Sequence, residues 1–352
     1  MPGYDLVQIG WVGAVTLSPD GRAATYIPGP VRYGDSPQEL SLLDLESWEP
    51  TRVLRLAGKP LGSYWSPDGS RLYVHTDENC VLLCESWIAT YDVASGGVLS
   101  RAELPRGYRP SHVAPDGRTL YLWGNGSVID LGDSPWTTAR VLAFDLETGK
   151  VREELEVPEV MWRTDYTPGI AVSPDGRRAY LVHAESDRIT VVDLQEMRIE
   201  RSQEIGRRVS LIERFLSSLA GTAHADGGGN FQERWAAISP DGRHLYVGGQ
   251  DTRMDEDWLP GTPPAPFVQT TSLGLRVIDT GSLEIVAEID HGGDNVYWNL
   301  AVHPSGHYLY AVTDGDLLVL DPDTLDVIAR GSVCEYCRIT NIMAGGPPSL
   351  RN

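Results

Sequence analysis

Short apolar runs punctuated by turn residues recur along the whole chain in one dominant order: an apolar run, a Pro-Asp-Gly turn, then a second apolar run containing tyrosine. The fullest copy spans residues 236–249, AAISPDGRHLYVGG. Proline fixes φ in its turn, glycine is free to take φ > 0, and the chain then resumes as Leu-Tyr-Val, so each copy predicts a β-hairpin. The turn stands as Ser-Pro-Asp-Gly at 18–21, 66–69, 173–176 and 239–242, as Ala114-Pro-Asp-Gly117, and in degraded form as His303-Pro-Ser-Gly306. Tyr73, Tyr121, Tyr180, Tyr246 and Tyr310 each follow the turn glycine by four residues, and the first copy has Thr25-Tyr26 there. A fixed side chain after a fixed turn implies a fixed packing slot.

A third run ending in aspartate follows every copy: Leu42-Leu-Asp44, Thr90-Tyr-Asp92, Ala143-Phe-Asp145, Val191-Val-Asp193, Val277-Ile-Asp279 and Val319-Leu-Asp321. A short turn and a fourth run come next, as at 150–157 and 283–289. The turn prolines at 19, 67, 115, 174, 240 and 304 are spaced by 48, 48, 59, 66 and 64 residues. Four short strands in a repeat of roughly 40–50 residues predict the blades of an all-β propeller, each unable to bury its faces alone. Six repeats are complete. Residues 4–9 read as an outer strand and 338–343 as an inner strand, which predicts seven blades closed through the two ends; six is the alternative.

These units resemble the YVTN/WD40-like β-propeller repeat proteins of bacteria, which carry a comparable Ser-Pro-Asp-Gly turn and an apolar-apolar-Asp third strand. The resemblance covers nearly the whole chain. It implies a single propeller domain over 1–352 and an exported, periplasmic or extracellular setting, with a cytoplasmic one left open. It does not fix an activity, because one fold hosts many functions.

With 49 acidic against 29 basic residues the formal charge is −20, which repels phosphate backbones and argues against nucleic acid as a partner. No run approaches the ~18–20 apolar residues of a membrane span. Residues 1–5, MPGYD, lack the basic and apolar regions of a signal peptide.

In a propeller the first-to-second and third-to-fourth turns share one face, and here these are uniformly short. The long connections fall on the other side, at 28–40, 76–87, 124–139 and 248–274 between second and third strands, and at 105–110, 158–168, 206–230 and 291–297 before inner strands. Length confined to one side marks a working face. Residues 210–220, SLIERFLSSLA, carry a helical stripe and predict a short helical insertion there.

Residues expected to ring the channel mouth on this face are Trp11, Tyr64, Arg109, His112, Trp162, Arg163, Asp165, Arg234, Trp235, Asn295, Tyr297 and Trp298. Rigid rings beside Arg, Asn and Asp suit recognition of a protein or small ligand; the alternative is that several of the rings pack between blades. Cys80 and Cys84 lie in one working-face loop, and Cys334 and Cys337 follow the last outer strand. They allow two disulfides in an exported protein, one disulfide with loose thiols, or a four-thiolate zinc site. The eight histidines show no metal-ligand spacing, and no Cys-x-x-Cys-His or Gly-x-Ser-x-Gly stretch occurs. No catalytic residue and no cofactor is therefore assigned, and the expected function is that of a non-enzymatic binding scaffold. The alternative, drawn from the resemblance to amine-dehydrogenase heavy subunits, is a propeller subunit of a periplasmic redox complex whose cofactor sits in a partner chain.

Overall fold

Each Pro-Asp-Gly stretch folds as a closed turn held by its own side chains. In the first, Gly21 N–H donates to Ser18 O at 2.9 Å, while Ser18 Oγ donates to Asp20 Oδ1 at 2.6 Å and accepts from Ala23 N–H at 2.9 Å. Asp20 Oδ1 also accepts from Arg22 N–H at 3.1 Å. The same set recurs around Ser66, Ser173 and Ser239. At 114–117, where alanine replaces serine, Asp116 caps the N–H of Arg118 and Thr119 instead. All six turn glycines sit at φ between +65° and +74°, where a side chain is strained.

These turns organise the computed structural model of the chain, which describes residues 15–26, 39–47, 49–78, 85–124, 137–162, 166–167, 169–183, 188–205, 230–254, 268–289, 299–303, 305–312 and 316–332. The described residues form six sheets arranged in a ring, the blades of a β-propeller, each of four antiparallel strands, the fifth with one parallel strand added. Blade 1 holds β1 (Val15–Leu17), β2 (Ala23–Tyr26), β3 (Glu39–Asp44) and β4 (Pro50–Arg55). Blade 2 holds β5 (Lys59–Trp65), β6 (Arg71–Glu78), β7 (Glu85–Asp92) and β8 (Val98–Glu103). Blade 3 holds β9 (Tyr108–Val113), β10 (Thr119–Gly124), β11 (Thr137–Asp145) and β12 (Lys150–Trp162). After β13 (Tyr166–Thr167), blade 4 holds β14 (Gly169–Val172), β15 (Arg178–Val182), β16 (Arg188–Asp193) and β17 (Arg198–Glu204). Blade 5 holds β18 (Asn230–Ile238), β19 (His244–Met254), β20 (Val268–Asp279) and β21 (Ile285–Ile289). Blade 6 holds β22 (Asn299–Val302), β23 (Leu309–Val312), β24 (Asp316–Leu320) and β25 (Val327–Ser332).

Among the described residues no helix is present, and the expected helix at 210–220 lies outside them. So do residues 4–9 and 338–343, on which the expectation of a seventh blade rests. Three expected connections are shorter than the sequence implied. Strands β19 and β20 stay paired as far as Met254 and Val268, which narrows the 248–274 excursion to residues 255–267. Strands β6 and β7 stay paired to Glu78 and Glu85. Strand β12 continues past Pro158 to Trp162 through a register shift opposite Thr138 and Ala139, a bulge that lets an outermost strand absorb a proline.

The tyrosine slot is an inter-blade joint. Tyr73 donates to Gly117 O of the next turn at 2.7 Å, and Tyr121 donates to Leu194 O of blade 4 at 2.8 Å. Tyr180 reaches Thr280 of blade 5. Thr25 fills the slot in blade 1 by joining Thr16 and Ser63 in a hydroxyl cluster at 2.6–2.7 Å. Apolar cores fill the seams in sequence, blade 1 with 2 through Leu42 and Val74, 2 with 3 through Tyr73 and Leu120, and 3 with 4 through Tyr121 and Ala179. Tyr180 and Leu245 join blades 4 and 5, and Tyr246 and Leu309 join 5 and 6. Each fully buried Leu or Tyr here contributes about 1.5–3 kcal/mol by leaving water.

The third-strand aspartates cap the outer turns. Asp44 Oδ1 accepts from Glu46 N–H and Ser47 N–H at 3.0 and 2.7 Å, and Asp92, Asp145, Asp193, Asp279 and Asp321 each cap their own turn. Four residues after the aspartate the backbone turns left-handed, at Gly96 and Gly149 but also at Met197, Leu283 and Leu325. A buried Leu283 or Leu325 side chain offsets the strain of about 1–2 kcal/mol that φ > 0 imposes.

Candidate functional site

The two rims of the ring differ. On the rim of Pro-Asp-Gly and post-aspartate turns, residues 18–22, 66–70, 114–118, 173–177 and 239–243 close hairpins of identical length, as do 45–49, 93–97 and 280–284. The opposite rim is uneven: residues 56–58 and 104–107 link strands tightly there, whereas 27–38, 125–136, 205–229 and 255–267 separate them widely. Blade 5 also rises above its neighbours on this side. Asn230 through Arg234 of β18 pair with Arg253 through Gly249 of β19, and β13 joins β18 in parallel through Tyr166 with Gln232 and Thr167 with Glu233. This fifth strand stiffens the blade 4–5 sector of the rim by satisfying backbone groups that an edge would leave open.

Arg109 and Trp235 lie within described strands with described side chains. Arg109 is the second residue of β9, exposed at the uneven rim and register-paired with Trp123. Trp235 is half-buried at the centre of β18, opposite Gly248, and packs on the blade 5–6 core. Trp162 ends β12 and Arg234 lies in β18, both at the uneven rim by backbone position. Tyr64 sits low on β5, beside the tight turn and not before the strand, and it donates to Pro110 O of blade 3 at 2.8 Å. Burial pushes its phenol well above the usual tyrosine value, against the opposing field of Arg109. His112 likewise lies toward the tight-turn end, its Nε2 close to the place where a Cβ on Gly176 would sit. The structure thus gives these two residues places in the seams between blades. Trp11, Arg163, Asp165, Asn295, Tyr297 and Trp298 lie outside the described residues, as do Cys80, Cys84, Cys334 and Cys337.

One polar group near this rim went unremarked in the sequence. His75, on β6 two residues after Tyr73, is buried, and its Nε2 has no hydrogen-bond partner. Asp77 Oδ1 lies 3.7 Å away and accepts from Ser86 Oγ at 2.6 Å. Burial pushes the His75 imidazole down to about 4, with Asp77 opposing the fall and Arg109 adding to it, so the ring is neutral at pH 7. Nothing in the local pattern flags it, because the equivalent positions are Trp123 in blade 3 and Val182 in blade 4. Nearby on the other face of blade 2, the Arg101 guanidinium stacks 4.1 Å from the Trp87 ring and pairs with Glu78 at 2.5 Å.

A cleft of about 580 Å³ opens between β8 and the outer turn of blade 3, lined by Arg101, Arg106, Phe144, Leu146, Thr148 and Val151. It lies at the perimeter, away from the channel mouth. At that turn Asp145 is almost fully buried and bonds both Arg118, at 2.9 Å, and Arg152. Burial alone would raise its pKa, but backbone N–H groups and these guanidinium groups outweigh burial and hold the carboxyl well below the ordinary range. This pairing ties β10, β11 and β12 together and presents no open ligand position. Among the described residues no group of three or more His, Cys, Asp or Glu side chains could hold a metal. No helix among them is long and apolar enough to cross a membrane.

The architecture defines a β-propeller. Among solved structures the chain is similar to hydrazine synthase of Kuenenia stuttgartiensis, at 18% identity and a TM-score of 0.55, over 92% of this chain and 80% of that one. It is also similar to the β-propeller domain of Cps50 (Swd1) of Myceliophteria thermophila, at 12% identity and a TM-score of 0.53, over 93% and 87%. At these identities the likeness is one of fold. No family model and no curated protein matches the chain.

Proposed function

We propose that the protein is a non-enzymatic binding scaffold that holds a protein or small-ligand partner on the uneven rim and channel mouth. The observation that carries this reading is the asymmetry of the rims: one is built from self-capped turns of four to six residues, and the other bears the long excursions together with the raised β18–β20 sector. A surface that only closes the fold has no use for such variety. Arg109, Arg234 and Trp235 supply a cationic and aromatic character that suits an interface core.

Affinity capture from the native source followed by cross-linking tests this reading. The bound partner should be lost on Arg109→Glu and kept on Arg22→Glu or Arg177→Glu of the tight rim. The reverse pattern refutes the proposal. A visible absorption band in the captured complex would transfer the chain to the redox-subunit reading. We place the protein outside the cytoplasm, with its four cysteines oxidised in pairs. Thiol counting under denaturing conditions should then find no thiols and metal analysis no zinc, whereas four thiols with one zinc would overturn this placement.

A further inference from the structure

At the perimeter of a seam, a groove runs between the outermost strand of one blade and the post-aspartate turn of the next, and the chain fills most of these grooves with its own side chains. Between blades 1 and 2, Arg52 of β4 lies over Gly96, where a Cβ would come within 2.7 Å of its Nη1, and its Nη2 donates to Ala94 O at 2.7 Å. Between blades 4 and 5, Arg201 of β17 donates to Thr280 O and Gly281 O, both at 2.8 Å, beside the buried Leu283. Met197 packs into the blade 3–4 seam and Leu325 into the blade 5–6 seam. The blade 2–3 seam has neither kind of filler. Ser100 of β8 pairs with Thr90 at the register position where Arg52 pairs with Leu42 and Arg201 with Val191. The turn residue is Gly149, counterpart of Gly96, and a Cβ there would meet only Ala102 Cβ, at 3.1 Å. What remains is the open cleft of about 580 Å³ described above, within the roughly 300–1,000 Å³ range of ligand sites. On its wall Leu146 O and Glu147 O, the counterparts of Thr280 O and Gly281 O, accept no hydrogen bond among the described residues.

We infer that this cleft is a second binding site, separate from the uneven rim and channel mouth, which receives an arginine side chain from a basic segment of a partner protein. The filled grooves define the chemistry. Where the neighbouring turn also carries glycine, at Gly96, the molecule's own filler is arginine. Its planar guanidinium offers several donors to adjacent backbone carbonyls, and its methylene stem covers apolar surface. In the open cleft Leu146 O and Glu147 O take the place of those carbonyls, and Ala102, Phe144 and Val151 supply the apolar lining for the stem. Arg101 does not compete, because its guanidinium is held by Glu78 over the Trp87 ring on the other face of blade 2. Arg106 shares the lining with Glu103 and Glu147, so the cleft is not cationic, and the formal charge of −20 favours a basic partner.

Amide NMR of the full chain, titrated with the probe acetyl-Gly-Arg-Gly-amide, tests this. Resonances of Ser100 and of residues 146–149 should shift with a Kd on the order of 1 mM. The citrulline and lysine analogues should bind at least about 10-fold more weakly, since one lacks the charge and the other the planar fork of donors. Ser100→Arg, which supplies within the chain what Arg52 supplies in blade 1, should abolish the shifts at 146–149. Ser100→Met fills the cleft without donors and should abolish them too, which keeps the test intact if the arginine variant does not fold. Conversely, Arg52→Ser should open a second groove, so that the probe also shifts residues 93–97. The inference is overturned by equal binding of either analogue, by shifts that persist in both Ser100 variants, or by none at 93–97 in Arg52→Ser. Absence of shifts at 146–149 with about 10 mM probe overturns it equally.

Discussion

The turn rim offers a quantitative probe of the packing, because each turn proline leans on the glycine of the next turn and the closeness varies from seam to seam. A Cβ on Gly176 would lie 2.5 Å from Pro115 Cδ, 2.7 Å from Pro115 Cγ and 3.4 Å from His112 Nε2. A Cβ on Gly69 would meet Pro19 Cδ at 3.8 Å, an ordinary contact. Both glycines have the same backbone, at φ +69° and +71°, so replacing either with alanine carries the same strain of about 1–2 kcal/mol. Only at Gly176 must the methyl also displace a rigid pyrrolidine ring, and overpacking of this kind costs about 1–3 kcal/mol more. Gly69→Ala should therefore destabilise by about 1–2 kcal/mol and Gly176→Ala by about 2–5 kcal/mol. Urea unfolding at unchanged m reads these values from the midpoints. Adding Pro115→Ala to Gly176→Ala should recover about 1–2 kcal/mol as a coupling energy. Equal destabilisation at the two glycines to within about 0.5 kcal/mol, or no recovery in the double variant, would refute turn-on-turn packing.

Tyr121→Phe removes the hydroxyl that donates to Leu194 O and should cost about 1 kcal/mol in the same assay, with secondary structure by circular dichroism unchanged. The buried His75 gives the stability a dependence on pH. Its folded pKa lies near 4, below the unfolded value of 6.5, so its contribution is complete above pH 6.5 and is lost as pH falls toward 4, by about 3 kcal/mol at most. His112 is shifted in the same direction by burial and adds to the slope. His75→Phe should flatten unfolding free energy between pH 6.5 and 4; an unchanged slope would show that His75 is not buried as a neutral ring.

The turns and the repeat were legible in the chain because their chemistry is local. Proline, a capping aspartate and a glycine at φ > 0 act within five residues, and the tyrosine four positions on has one joint to fill. Strand ends on the uneven rim were not legible, since partners distant in sequence decide them. Pro158 reads as a strand end, yet β12 passes it with a bulge because an outermost strand need not donate there. The hairpin of β19 and β20 runs beyond Gly248 because its pairing with β18 continues, and β18 is in turn supported by β13, whose Tyr166 and Thr167 pair with residues 66 positions later. Tyr64 reads as a mouth residue only if Leu61-Gly62-Ser63 is taken for a loop. The structure places these residues in β5 behind a register shift, which sends the phenol into the blade 2–3 seam. His75 could not be singled out, because a lone histidine in an apolar strand says nothing of the seam it faces.

Hydroxyl-radical footprinting of the protein in its native mixture, compared with the purified chain, tests most directly the claim that one rim recognises and the other closes. Protection should gather on Arg109, Trp235 and the β19–β20 extension, and residues 18–22, 66–70, 173–177 and 239–243 should label equally in both samples. Protection centred on those turns, with the uneven rim labelled alike in both samples, would contradict the account.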